Sequence, residues 1–353
     1  MNLQKIRLLE NSYDVCGGSR KEGMGFIYDA SSPRGKCPLH KTLMSNKCSF
    51  DCKYCANSVK NNPRDSFEPQ ELAATFIGLL RKHRLEGLFL SSAIDGDADR
   101  STERMIEAVK LVRQRYGYNG YIHFKVLPGT SYGLVKEASE MVDRMSINIE
   151  APSKSRINEL CSLKEYRTDI LRRQAWISQL HSSQTTQMIV GAADETDFEI
   201  LKMADWEYRS FNLKRIYFSA FSPIKKTALE ARQATPLSRQ NTLYNVDFLM
   251  RKYGYQLKEF SEIMRNEMLP NKDPKVAIAQ NSLGSAVDVN EAEFHELIRV
   301  PGIGPKTAKK IIATRKHERL ETRKQMQQAG IILKRAEPFL EINGYRQKMM
   351  MEF

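Results

Sequence analysis

Three cysteines stand within eight residues: Cys48, Cys52 and Cys55 in the stretch CSFDCKYC. A C-x3-C-x2-C array offers three soft ligands from one loop, and thiolates select zinc or iron–sulfur clusters. A closed zinc site takes four protein ligands. No histidine lies in this loop, and the nearest is His40, close to Cys37. Zinc completed by a distant fourth ligand is one reading. The other is a [4Fe-4S] cluster, which needs one ligand per iron, so three cysteines leave the last iron open to a small molecule. The spacing also departs from the C-x2-C-x2-C-x3-C run of ferredoxins, whose clusters are saturated by cysteine.

A second concentration of chemistry lies near the carboxyl end. Residues 301–335 hold ten Lys or Arg against two Glu, so about eight of the chain's thirteen net positive charges fall in a tenth of its length. Such clustering marks a surface for a polyanion rather than solubilising charge spread evenly. Within it, LIRVPGIGPKTAKKII resembles the helix-hairpin-helix motif of DNA-binding and repair proteins. Gly302, Ile303 and Gly304 form its tight turn, where backbone N–H groups can face a phosphate. Lys306, Thr307, Lys309 and Lys310 add charge and hydrogen bonds on the first turns of the next helix. Contacts of this kind position a nucleic acid without reading its sequence. GPKT is not a phosphate-binding P-loop, because Pro305 stands where that motif requires glycine.

The elements that must position these groups alternate. Short apolar runs at 41–45, 87–93, 121–126, 143–150, 186–192 and 215–221 are separated by amphipathic segments such as PQELAATFIGLLRKH. That pattern predicts an α/β fold, a partial (β/α)6 TIM-like barrel with its site at the carboxyl ends of the strands. Four segments follow: 1–40, an irregular glycine-rich leader or lid; 41–222, the barrel; 223–285, a helical extension; and 286–353, a small all-α helix-hairpin-helix domain. LETRKQMQQAGIILKRAEPFLEI reads as a degenerate second copy of the hairpin.

The loop CSFDCKYC, with an aromatic residue just before its last cysteine, resembles the signature of the radical S-adenosylmethionine (radical SAM) superfamily. The resemblance implies a [4Fe-4S] cluster on Cys48, Cys52 and Cys55. It also implies S-adenosylmethionine (SAM) on the open iron, cleaved by one-electron reduction to methionine and a 5′-deoxyadenosyl radical. Position by position, Tyr54 falls where that family packs an aromatic residue near the adenine. Ser91, Ser92 and Ala93 replace its glycine-rich strand end, without the glutamate, so only backbone contacts to the SAM amino group carry over. Ser146, Asn148 and Glu150 alternate with apolar residues and share one face by the period of two, a face suited to ribose or methionine contacts. Gly191 in QMIVGAADET matches the family's adenine-side glycine, and Lys125 can reach a carboxylate or phosphate.

Over nearly the whole chain, YDVCGGS, YIHFK, SINIE, TQMIVGA and YFSAFSP resemble radical SAM proteins assigned to DNA modification or repair, which are linked to a uracil-DNA-glycosylase-like partner. The resemblance implies an enzyme acting on DNA and a one-electron donor such as flavodoxin or ferredoxin. Two alternatives stay open on the residues: the same chemistry on RNA or a nucleoside, and a DNA-binding iron–sulfur protein whose cluster is structural or redox-sensing.

Composition is that of a globular protein, 41% hydrophobic and 27% charged over 353 residues, with no apolar run long enough to span a membrane and no signal-peptide stretch. A cytoplasmic location is expected. Six cysteines in that reducing compartment point to metal or thiol chemistry rather than disulfides. Cys16, Cys37 and Cys161 lack cluster spacing and read as buried thiols, with an auxiliary cluster as the alternative.

Overall fold

Parallel strands covered on both faces are continuous apolar runs, and GLFLS at 87–91 is one whose five residues are all buried. A computed structural model describes residues 3–10, 19–21, 24–32, 35–60, 62–282, 286–342 and 345–346. The chain divides into two compact units, Met1–Glu195 with Met203–Pro236, and Thr196–Lys202 with Leu237–Phe353.

The first unit is built on one sheet of eight strands in chain order: β1 Ser19–Lys21, β2 Met24–Ser32, β3 Gly35–Leu43, β4 Gly87–Ser91, β5 Tyr121–Lys125, β6 Arg144–Ser146, β7 Gln184–Val190 and β8 Arg215–Ala220. From β3 to β8 every pairing is parallel, with Leu39 opposite Gly87, Gly87 opposite Tyr121 and Thr185 opposite Arg215. These are the six strands of the expected partial barrel. The sheet is open: among the described residues no pairing joins β8 to β1.

Helices between the strands end where the sequence says they should. Pro69 opens the helix Pro69–His83, where a missing N–H costs nothing, and Arg84 closes it in the left-handed region. Asp97 caps Ala98–Lys110 by accepting from the Arg100 N–H at 2.8 Å. Their apolar stripes, Leu72, Phe76 and Leu79 on one and Met105 and Val109 on the other, are fully buried.

Residues 1–40 are not the irregular leader the sequence suggests. Over its described part this segment forms the helix Leu3–Glu10 and two antiparallel strand pairs that extend the sheet beyond β3. β3 itself starts at Gly35, six residues before the expected edge. The apolar run FIYD is too short, and too closely flanked by Gly and Ser, to show a strand's alternation against a turn background.

The second unit carries the helices Leu237–Tyr253, Leu257–Ser261 and Pro274–Ser282, then two hairpins. Phe294–Leu297 and Pro305–Thr314 form the first; Arg323–Gln328 and Leu333–Ala336, joined through Gly330 at φ +95°, form the second. Leu297, Val300, Ile303, Ile311, Met326 and Leu333 pack into one core. The domain is helical with one addition, a short sheet of β9 Val287–Asp288, β10 Leu340–Ile342 and β11 Tyr345–Arg346. Strands of two or three residues carry too little alternation to be read from sequence. No helix among the described residues is long and apolar enough to cross a membrane.

Candidate functional site

The cysteine loop follows β3 and is pinned on both sides. The Ser49 N–H donates to the Ile94 carbonyl beyond β4 at 2.8 Å, and the Lys53 N–H donates to the Leu160 carbonyl at 2.8 Å. After Cys55 the chain turns through Ala56–Ser58, with the Cys55 sulfur accepting from the Asn57 N–H at 3.4 Å. Arg64 then staples the loop from behind, its guanidinium donating to the carbonyls of Asn46, Asn57 and Val59 at 2.5, 2.8 and 2.6 Å. Asn62 adds a bond to the Ala56 carbonyl at 2.9 Å. Three carbonyls held by one guanidinium make the loop a preformed platform, as a ligand set requires.

Cys48, Cys52 and Cys55 line one cavity of about 780 Å³ at the carboxyl ends of the parallel strands. With them come Tyr54, Ser91, Ser92, Ala93, Lys125, Asn148 and Glu150. Two expected residues do not reach it. Ser146 lies deeper on the face it shares with Asn148 and bonds its hydroxyl to His123 Nε2 at 2.8 Å. Together with Phe89, whose ring meets His123 at 4.4 Å, it closes the barrel floor. Gly191 sits at φ +87° outside the lining, its N–H donating to the Glu195 carboxylate and its carbonyl accepting from Arg232 Nε at 3.1 Å. The period of two sets which face a residue takes but not its depth along the strand.

Lys164, Gln187 and Ser219 join the cavity without having been singled out in the sequence. Lys164 is buried, and its ammonium donates to the Tyr54 hydroxyl at 3.2 Å and lies 3.9 Å from Glu150. Glu150 is held at φ +62°, its N–H donating to the Gln187 carbonyl at 3.0 Å and its carbonyl accepting from Ile189 at 2.8 Å. A non-glycine residue fixed in the left-handed region marks a position where geometry is imposed.

The thiols differ in state. The neighbouring Cys161 side chain outweighs burial at Cys52, and the Lys164 ammonium helps, so the Cys52 thiol is drawn below its ordinary range. Burial and the adjacent Cys52 push Cys55 up to about 12. Burial alone would pull Lys164 down; the charges of Cys52 and Glu150 outweigh it and hold the ammonium protonated. A site that holds a cation against a thiolate suits a metal that takes thiolate ligands. Among the described residues no three His, Cys, Asp or Glu converge as on a single metal ion. A [4Fe-4S] cluster asks for something different, one thiolate at each of three separate corners. The free thiols of Cys48, Cys52 and Cys55 on one braced loop fit that demand.

At the strand ends, the Ser91 carbonyl accepts from the Met44 N–H and the Ala93 carbonyl from the Ser92 hydroxyl, each at 2.7 Å. Each carbonyl keeps a second lone pair for a ligand's amino group.

Cys161 comes up beside Cys52 and donates to Asp51 at 2.9 Å. Cys37 lies six residues before Leu43 on β3, about 20 Å toward the far end of the sheet at the usual strand rise. The two are therefore not brought together as an auxiliary cluster would need. Cys16 lies outside the described residues.

In the second unit Gly302 turns the hairpin at φ +86°, and a Cβ there would stand 2.6 Å from the Ile332 carbonyl oxygen. Ile303 is buried, and its carbonyl accepts from Lys275 Nζ at 2.6 Å. Gly304 caps the helix Pro305–Thr314. Lys306, Lys309 and Lys310 are exposed on that helix. Lys310 donates to the Gln328 carbonyl at 2.5 Å, and Thr307 to the Gly330 carbonyl at 3.3 Å, so those two also tie the hairpins together.

Comparison with known proteins matches two segments of the chain. Residues 42–206 match the Radical SAM superfamily and residues 284–332 the helix-hairpin-helix motif. The chain thus carries a radical SAM domain and a helix-hairpin-helix motif. Among solved structures, HydG, a maturase of the [FeFe]-hydrogenase, superposes with a TM-score of 0.51 at 13% identity, covering 60% of this chain and 49% of that one. Methylornithine synthase (PylB) gives 0.48 at 16% identity over 60% of this chain and 62% of that one. Coproporphyrinogen III oxidase (HemN) from Escherichia coli gives 0.42 at 14%, over 71% and 59%. At such identity the likeness to HydG shows the fold alone. The chain spans about half the length of HydG and about three fifths of the other two. Comparison with curated proteins returned no match.

Proposed function

We propose that this chain is a radical SAM enzyme that acts on nucleic acid, DNA first, with Cys48, Cys52 and Cys55 holding a [4Fe-4S] cluster. The observation that carries the reading is the single cavity that gathers three free thiols, the aromatic Tyr54, the 91–93 strand end, Asn148 and Glu150. When bound, the cluster and SAM would supply a carbon-centred radical able to abstract hydrogen from a substrate. The chain's own residues do the positioning. The carbonyls of Ser91 and Ala93 would accept from the SAM amino group. Lys164, braced between Tyr54 and Glu150, would neutralise charge gathered around the cysteines. Buried Asn148 and Gln187 offer hydrogen bonds on the opposite wall. An electron would come from a small reductant of the flavodoxin or ferredoxin class. The basic hairpin supports nucleic acid as the partner, and a target inside a duplex would have to leave the stack to reach a barrel mouth.

The test is anaerobic reconstitution, iron and sulfide counting, and assay of 5′-deoxyadenosine after addition of SAM and dithionite. Four irons with SAM cleavage is the expected result. A full cluster that never cleaves SAM would leave a structural or redox-sensing iron–sulfur protein instead.

A further inference from the structure

Lysines outnumber carboxylates around the cavity. Among the described residues four lysines line it, Lys125, Lys164, Lys225 and Lys226, against a single carboxylate, Glu150. Lys164 and Glu150 lie 3.9 Å apart and offset one another. Lys225 and Lys226 are the exposed pair at the rim, just past β8.

The turn that carries this pair is built. The Thr227 N–H and hydroxyl both donate to the Ile224 carbonyl, at 3.2 and 2.7 Å. Lys226 sits at φ +66°, a region disfavoured for a side chain of its kind. Its N–H donates to Glu230 at 2.8 Å, which holds the backbone of the turn. Beyond the turn, the Leu229 N–H reaches the Lys53 carbonyl of the cysteine loop at 3.3 Å. Arg232 bonds the Gly191 carbonyl and pairs with Asp194 beyond β7. Two adjacent lysines are thus presented at the cavity mouth on a strained turn tied to the cysteine loop itself. Strain kept by several independent bonds points to a function for the conformation.

We propose that Lys225 and Lys226 form a phosphate-gripping lip, so that the substrate enters as a phosphodiester-linked nucleotide with its sugar and base toward the cysteines. This rests on the reading above that the cavity is where substrate is attacked. A cation pair at the rim would fix the backbone and leave the nucleoside to enter the cavity beside Phe50. Lys125 lies deeper, at the end of β5, and is not part of the lip.

The test uses the full chain and two probes, a trideoxynucleotide with ordinary phosphodiester links and its uncharged methylphosphonate analogue, titrated by calorimetry at several salt concentrations. Wild type should prefer the phosphodiester by about tenfold. K225A/K226A should abolish that preference and lower the log-salt slope by about 0.7 for each phosphate no longer neutralised. K225R/K226R should restore both. Preference undiminished in K225A/K226A overturns the lip, as does the absence of any preference in wild type. A deoxynucleoside 5′-monophosphate that binds as tightly as the trinucleotide, with the same lysine dependence, overturns the assignment to nucleic acid in favour of a small phosphate ester. Because these titrations need no turnover, loss of SAM cleavage would refute the enzyme reading and leave the lip to be judged by its own result.

Discussion

Lys275 is a buried cation whose replacement should stabilise the fold at low pH and destabilise it at high pH. Its ammonium donates to the Ile303 carbonyl in the hairpin turn at 2.6 Å and lies 4.7 Å over the Tyr253 ring. Burial, with Arg335 and Arg299 nearby and only Asp273 opposing, lowers it from an ordinary 10.5 to about 7. Asp273 is itself paired with Arg335 at 2.5 Å. Because the folded value is depressed, the unfolded chain binds more protons between pH 7 and 10.5, and stability must rise with pH across that window. At 1.36 kcal/mol per pH unit, the drop from 10.5 to about 7 amounts to roughly 3–5 kcal/mol once the part-exposed Arg335 is discounted for screening. K275M removes this penalty but leaves the Ile303 carbonyl unpaired, at a cost of about 1–3 kcal/mol. The variant should therefore match or exceed wild type at pH 6 and fall below it at pH 10, so that the two stability curves cross. Hydrogen exchange of peptides covering residues 303–314, corrected for intrinsic rates, reads this locally in a chain of two units. Parallel curves, with wild type showing no rise above pH 7, would refute the reasoning.

Gly302→Ala should cost roughly 2–4 kcal/mol in the hairpin unit, since the new Cβ meets a backbone oxygen 2.6 Å away at a positive φ; exchange protection equal to wild type would contradict this. Burial, against a 2.8 Å bond from Gln174, raises the Glu207 carboxyl to about 8. Its folded value lies above the unfolded one, so its stabilising contribution is present below about pH 4.5 and fades as pH rises through 8. E207Q should flatten that decline, as seen in melting temperatures across the range. Replacing Lys306, Lys309 and Lys310 by Ala should weaken duplex DNA binding and flatten its log-salt slope by about 0.9 for each phosphate the hairpin no longer neutralises; unchanged gel-shift affinity would remove the hairpin from the interface.

Features confined to a short stretch of chain were legible in the sequence. The C-x3-C-x2-C loop and GIGPKT each place their groups within about ten residues, so a short window was enough to bring them into view. The six parallel strands announced themselves because burial on both faces demands dense apolar runs. The period of two likewise carried Asn148 and Glu150 to the cavity wall. Tertiary structure decided the rest. Depth along a strand has no signature in alternation, which is why Ser146 closes the barrel floor while Asn148 lines the site. Lys164 meets Tyr54 across 110 residues, and Gln187 meets Ser219 across 32. Long-range neighbours leave no periodic trace in a single chain. The strands of the amino-terminal segment were hidden for another reason: β1 has three residues, and the nine-residue β2 holds only Phe26, Ile27 and Tyr28 as an apolar run, between Gly25 and Asp29. Arg64, the staple of the cysteine platform, looked like any loop arginine until folding brought three carbonyls to its guanidinium. Local sequence therefore brought the cysteines into view, and the packing of distant segments determined what surrounds them, because the charges and carbonyls around a site come from wherever the fold brings chain close.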